Sequence, residues 1–67
     1  MRYSISYEQN GLSFISHFDS LLNAEKAARM FADYYGLAVE VQELVSGSFC
    51  EATGYFSGEV HLLSIVR

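Results

Sequence analysis

Tyr3-Ser4-Ile5-Ser6-Tyr7-Glu8-Gln9-Asn10-Gly11-Leu12-Ser13-Phe14-Ile15-Ser16-His17-Phe18 is the stretch that decides the fold. Asn-Gly between two alternating runs is the strongest short signal for a two-residue hairpin turn. With Asn10 and Gly11 in the turn, Gln9 pairs with Leu12 and the ladder runs outward. Tyr7 then falls opposite Phe14, Ile5 opposite Ser16, and Tyr3 opposite Phe18. Side chains alternate with period two, so these three pairs share one aromatic face. Glu8–Ser13, Ser6–Ile15, Ser4–His17 and Arg2–Asp19 form the other, mostly polar face. A slip by one residue would ruin both patterns, so turn and pattern fix the same register. The aromatic face is the one a helix should cover, and the polar face reads as scaffold rather than interaction site.

The helix follows. Asn23 is a candidate N-cap, with Leu22 and Ala27 at hydrophobic-staple positions. Gly36 is a natural stop, free to adopt the left-handed conformation. At about 100° per residue, Ala24, Ala27, Ala28, Phe31, Tyr34 and Tyr35 fall within one arc. Tyr35 lies at its centre and Tyr34 at its edge. Glu25, Lys26, Arg29 and Asp33 lie opposite, and Glu25–Arg29 and Arg29–Asp33 are i,i+4 pairs of opposite charge.

Residues 37–45 alternate and read as a third strand. Ser46-Gly47-Ser48 reads as a turn, 49–53 as a short fourth strand, and Gly54-Tyr55-Phe56-Ser57-Gly58 as a Gly-bounded loop. Residues 59–66 form the last strand, with Val60, Leu62, Ser64 and Val66 on one face and His61, Leu63 and Ile65 on the other. Both faces are fairly apolar, which predicts a central strand or one whose second face a partner covers. The whole is one α+β domain over 1–67: an antiparallel β-sheet of four to five strands, order ββαβββ, with one helix packed on one face.

The 67 residues leave room for no second domain and only a small core. Chains of this size usually need a disulfide, a metal or burial against another chain. Cys50 is the only cysteine, so no disulfide forms within the chain. With no export signal and no apolar run near the roughly 20 residues of a membrane span, the expected location is the cytoplasm, that of the host if the gene is phage-borne. A net charge of −4 argues against direct nucleic-acid binding.

No catalytic or cofactor motif stands out, so the expected chain is not an enzyme and holds no cofactor. His17 and His61 lack metal-ligand spacing, with each other and with Cys50. Cys50 reads as a small mid-strand hydrophobe, inert when buried. The segment that stands out is the Gly-flanked pair Tyr55-Phe56, since two adjacent loop aromatics cannot easily both point inward. Tyr and Phe there suit a protein interface. Glu40, Glu43, Glu51 and Glu59 gather in the same half of the chain, against Arg67 alone. The candidate interface is therefore Glu40, Glu43, Glu51, Tyr55, Phe56 and Glu59, an acidic and aromatic surface for a basic protein partner.

In size and layout the chain resembles the small acidic anti-CRISPR proteins that phages and mobile elements encode against bacterial defences. The resemblance rests on the opening hairpin 3–18, the helix Asn23-Ala24-Glu25-Lys26-Ala27-Ala28-Arg29 and the strand 37–45. It covers most of the chain but carries no signature residue, and it selects no target. It implies a non-enzymatic, stoichiometric inhibitor that binds a nucleic-acid-handling effector complex and occludes it. Two other readings stand beside it. One is a small symmetric oligomer, such as a homodimer, binding a ligand between subunits. The other is an accessory subunit of a larger assembly. The chain lacks the N-terminal proline of small tautomerases and the tryptophan that flavin storage of the dodecin kind uses.

Overall fold

A computed structural model describes residues 2–50, 52–53 and 55–67, with the backbone alone for Phe49, Tyr55 and Phe56. Strands β1 (Tyr3–Gln9) and β2 (Leu12–Phe18) are followed by helix α1 (Leu21–Tyr35) and strands β3 (Val39–Cys50) and β4 (Tyr55–Val66). All pairings are antiparallel in a four-stranded sheet of order β2-β1-β3-β4. One helix packs on one face of this sheet, an α+β fold.

The opening hairpin has the register its sequence dictates, from Gln9 opposite Leu12 to Tyr3 opposite Phe18. Asn10 at φ 55° and Gly11 at φ 80° supply the two positive dihedrals that a twisted two-residue turn requires. Ile5 is fully buried, and Tyr3, Tyr7 and Phe18 pack around it beneath the helix. The aromatic face is thus the covered one.

The helix begins three residues earlier than its sequence suggests. Ser20 is the N-cap, extended at φ −122° and ψ 133°. Its Oγ accepts from the Asn23 backbone N–H at 3.3 Å. Asn23 is therefore inside the first turn, and Leu22 and Ala27 do not form the expected staple. Gly36 ends the helix in the left-handed region (φ 66°, ψ 37°) and donates its N–H to the Ala32 carbonyl at 2.9 Å. The buried stripe is Ala24, Ala28 and Ala32, with Ala27 and Phe31 half-buried beside it. This stripe is rotated from the predicted arc toward Ala32. Tyr35 is consequently 39% exposed and Tyr34 77% exposed, so neither is core. Alanines let the helix backbone lie close to Ile5, Val39 and Val41. Where the stripe ends, the gap is filled by rings: Tyr7 stacks with Phe14, Phe31 and Tyr35 at centroid distances of 5.2, 5.4 and 5.9 Å.

The second half differs more. Residues 46–48 are not a turn, and no separate strand follows them. β3 runs unbroken from Val39 to Cys50, and β4 begins at Tyr55, inside the expected loop. Gly47 and Gly58 are cross-strand partners in the resulting ribbon. β1 pairs with β3 only from Tyr3↔Glu43 to Ser6↔Glu40, so the outer part of the β3–β4 ribbon projects past the sheet. β4 is an edge strand, not a central one.

Candidate protein interface

Cross-strand partners share a face, so the register assigns the two sides of the sheet. Phe18–Tyr3–Glu43–His61 and Ser16–Ile5–Val41–Ser64 are rows on the helix side. His17–Ser4–Gln42–Leu62 and Ile15–Ser6–Glu40–Ile65 are rows on the opposite, open side, with Leu44–Val60 beyond them. The two histidines lie on opposite faces and cannot share a ligand.

A bulge rearranges β4. Val41 pairs with Ser64 but Gln42 pairs with Leu62, so Leu63 is an extra residue. The alternation flips there. Ile65 joins Val60 and Leu62 on the open side, while Ser64 and Val66 turn to the helix side. The sequence pattern alone divides these residues differently.

The open side has a polar spine and apolar flanks. Ser4, 2% exposed, donates its hydroxyl to Gln42 Oε1 at 3.0 Å, and Gln42 Nε2 donates to Ser6 Oγ at 3.4 Å. These bonds tie β1 to β3 and satisfy groups that would otherwise be costly to cover. Ile15 on β2 and Val60, Leu62 and Ile65 on β4 are exposed beside that spine, Leu62 by 53%. Where β1 outruns its pairing with β3, a groove of about 580 Å³ opens, lined by Ser6, Glu8, Ile15, Glu40, Ile65 and Arg67 among others. Among the described residues neither Glu8 nor Glu40 has an ion-pair partner within 4.0 Å.

The acids singled out in the sequence do not form one patch. Glu40 lies in the groove. Glu43 is on the other face, held by Arg2 at 3.2 Å, while Arg2 also takes the Leu44 N–H on its carbonyl at 2.7 Å. Glu59 sits 3.6 Å from His61 on β4. Glu51 lies outside the described residues, as do the side chains of Tyr55 and Phe56. The groove's other carboxylate, Glu8, escaped notice because it sits on the hairpin's polar face. Only the non-local β1–β3 pairing brings that face beside Glu40.

Cys50 ends β3 and is exposed, not packed in a sheet core. The hydroxyl of Thr53, then the backbone N–H groups of Thr53 and Ala52, stabilise its thiolate and lower the thiol pKa below its ordinary value. Alkylation by iodoacetamide is therefore expected to reach its half-maximal rate at a lower pH than for a cysteine in an unstructured peptide. Thr53→Val should move that midpoint back up. An unchanged midpoint in this variant would remove the hydroxyl from the explanation.

No helix among the described residues is long and apolar enough to cross a membrane. No known protein family, no curated protein and no solved structure matches the chain.

Proposed function

We propose that the chain is a protein-binding inhibitor or modulator that acts by occupying a partner's surface rather than by chemistry. The observation that carries this reading is the open side of the sheet. Exposed Ile15, Val60, Leu62 and Ile65 surround a pinned polar spine, with the carboxylates of Glu8 and Glu40 beside them, which among the described residues have no ion-pair partner within 4.0 Å. An apolar patch with acidic groups at its margin suits a protein that presents Lys or Arg side chains rising from an apolar surface. The stems of such side chains would lie on Ile15 and Ile65 and their charges beside Glu8 and Glu40. Surfaces that handle nucleic acid are basic in this way, which is the target class the anti-CRISPR resemblance implies.

Affinity purification from host cells with quantitative mass spectrometry tests the proposal. The wild-type protein should capture a nucleic-acid-handling complex. Leu62→Glu should weaken capture by at least about 30-fold, since an apolar interface anchor is worth about 2 kcal/mol or more. Glu40→Lys should weaken it as well. Lys26→Glu, on the outer face of the helix, should not. Equal capture by all four proteins, each with an unchanged circular dichroism spectrum, would discard this surface as the interface.

A further inference from the structure

We infer that Arg67 is the internal counter-ion of the open-side groove and sets how tightly that groove takes a basic side chain. The inference rests on the groove being the site where a partner's Lys or Arg docks. The groove opens where the pairing of β1 with β3 stops, just past Ser6↔Glu40. Glu8 on β1, Glu40 on β3, and Arg67 just beyond the end of β4 all line it, with Ala38 among them. Val39↔Val66 is the last pair of β3 with β4, so one further step along each chain brings Ala38 and Arg67 side by side. Alternation from Ile65 sends the Arg67 side chain to the open side. The small Ala38 leaves the space between the acids and the guanidinium unfilled.

The end of β4 is tethered through its main chain. Arg29 on α1 donates to the Arg67 main-chain oxygen at 2.9 Å and to Asp33 Oδ1 at 3.4 Å. The Arg67 guanidinium is not part of that tether. Among the described residues it has no ion-pair partner within 4.0 Å, and neither have Glu8 and Glu40. The groove therefore carries one more carboxylate than it carries cations, and none of the three charges is tied up in a contact pair. Charges sharing a groove of this size interact over distances comparable with the roughly 8 Å screening length of physiological salt.

An incoming ammonium or guanidinium is drawn by Glu8 and Glu40 and repelled by Arg67. The chain's own arginine thus stands in for the group the groove is built to receive. It weakens the first basic side chain to enter and opposes a second more strongly, because one cation already balances the groove. A single Lys or Arg on an apolar surface fits this balance, and a dense basic run does not.

The test is a titration of the full chain with the peptide acetyl-Leu-Arg-Leu-amide, read by the amide NMR shifts of Ile15 and Ile65. Arg67→Gln should lower the dissociation constant by about threefold or more, the scale of one exposed charge interaction. Glu40→Gln should raise it by a similar factor. Arg67→Lys keeps the charge and should bind as wild type does. Lys26→Gln removes the same charge from the outer face of the helix and should change nothing. An Arg67→Gln variant that binds no tighter than wild type overturns the inference. So does an equal gain from Lys26→Gln, which would reduce the effect to net charge, or an Arg67→Lys variant that behaves as Arg67→Gln does. In each of these cases a loss of binding on Glu40→Gln still upholds the groove as a site for basic side chains. No shift at Ile15 or Ile65 with either wild type or Arg67→Gln overturns that site, and this inference with it.

Discussion

Ile5→Ala should remove about 2–5 kcal/mol of stability, the range for truncating a fully buried isoleucine. A 67-residue domain has only about 3–10 kcal/mol in total, so this one change takes the protein to the margin of folding. Ile5 is fully buried at the centre of the helix–sheet layer, opposite Val41 on β3 and Ser16 on β2. It packs with the alanine stripe of the helix, which has no long side chains to swing into a cavity. Collapse around the gap would require the helix itself to shift. Urea unfolding is the measurement: the midpoint should fall sharply at nearly constant slope. Ile5→Val, which removes one methylene, should cost about 0.5–1.5 kcal/mol. A loss below 1 kcal/mol for Ile5→Ala would mean that the stabilising core lies elsewhere.

Gly47→Ala and Gly58→Ala should each undo the outer ribbon while sparing the rest of the molecule. The two glycines face each other across β3 and β4 at φ 119° and 153°. A Cβ on Gly47 would fall on the Ser57 carbonyl oxygen and 2.6 Å from the Gly58 Cα. A Cβ on Gly58 would fall on the Ser46 carbonyl oxygen and 2.7 Å from the Gly47 Cα. The obstacles are backbone atoms, so no rotamer change relieves the overlap, and a positive φ adds its own penalty for an L-residue. The ribbon must part at this point. Amide hydrogen exchange at 46–50 and 55–58 should accelerate by at least about 100-fold, equivalent to about 2.7 kcal/mol of local opening. Exchange at Ile5, Val41 and the helix should change little. Loss of protection across the whole chain would show that ribbon and core unfold as one unit.

The same two glycines explain where sequence reading stops. Gly47 between serines and Gly58 after Tyr55-Phe56-Ser57 each look like a local chain reversal. Together they form one cross-strand contact that lets two backbones approach. Each glycine read on its own gives only a turn signal, and their cross-strand pairing is not visible in either neighbourhood, so a turn and a loop are read where a continuous ribbon exists. The hairpin was legible because its turn chemistry and its alternation select the same register independently. The helix stop at Gly36 was legible for a similar reason, since only a residue tolerant of φ 66° fits there. The helix start was not. Ser20 and Asn23 are both good caps, and the choice depends on which phase sets Ala24, Ala28 and Ala32 on the sheet.

The candidate interface was legible in fragments. Glu40 and Glu43 are three apart on a strand, so period two alone sends them to opposite faces. What the sequence could not supply was the neighbour across β1, which sets Glu8 and Ile15 in the same groove as Glu40. Nor could it supply the bulge at Leu63, which moves Ile65 to the side of Val60 and Leu62.

The strand order has a consequence for how the chain assembles. β1–β2 and β3–β4 are pairs of strands consecutive in the chain, and hairpins of this kind close within about 1–10 μs. The seam between β1 and β3 is different. It consists of four residue pairs, from Tyr3↔Glu43 to Ser6↔Glu40, whose partners are separated by 34 to 40 positions. Closing a loop of that length costs about 3 kcal/mol from the logarithmic term alone. The side-chain contacts across the seam, Ser4–Gln42, Gln42–Ser6 and the exposed Arg2–Glu43 pair, each return little against it. Docking of α1 across the seam supplies the remainder, because Ile5 and Val41 are buried only when helix and both strands are in place. The largest loop-closure cost of this topology therefore sits at the β1–β3 seam, and burial of Ile5 and Val41 beneath the helix is the packing gain set against it.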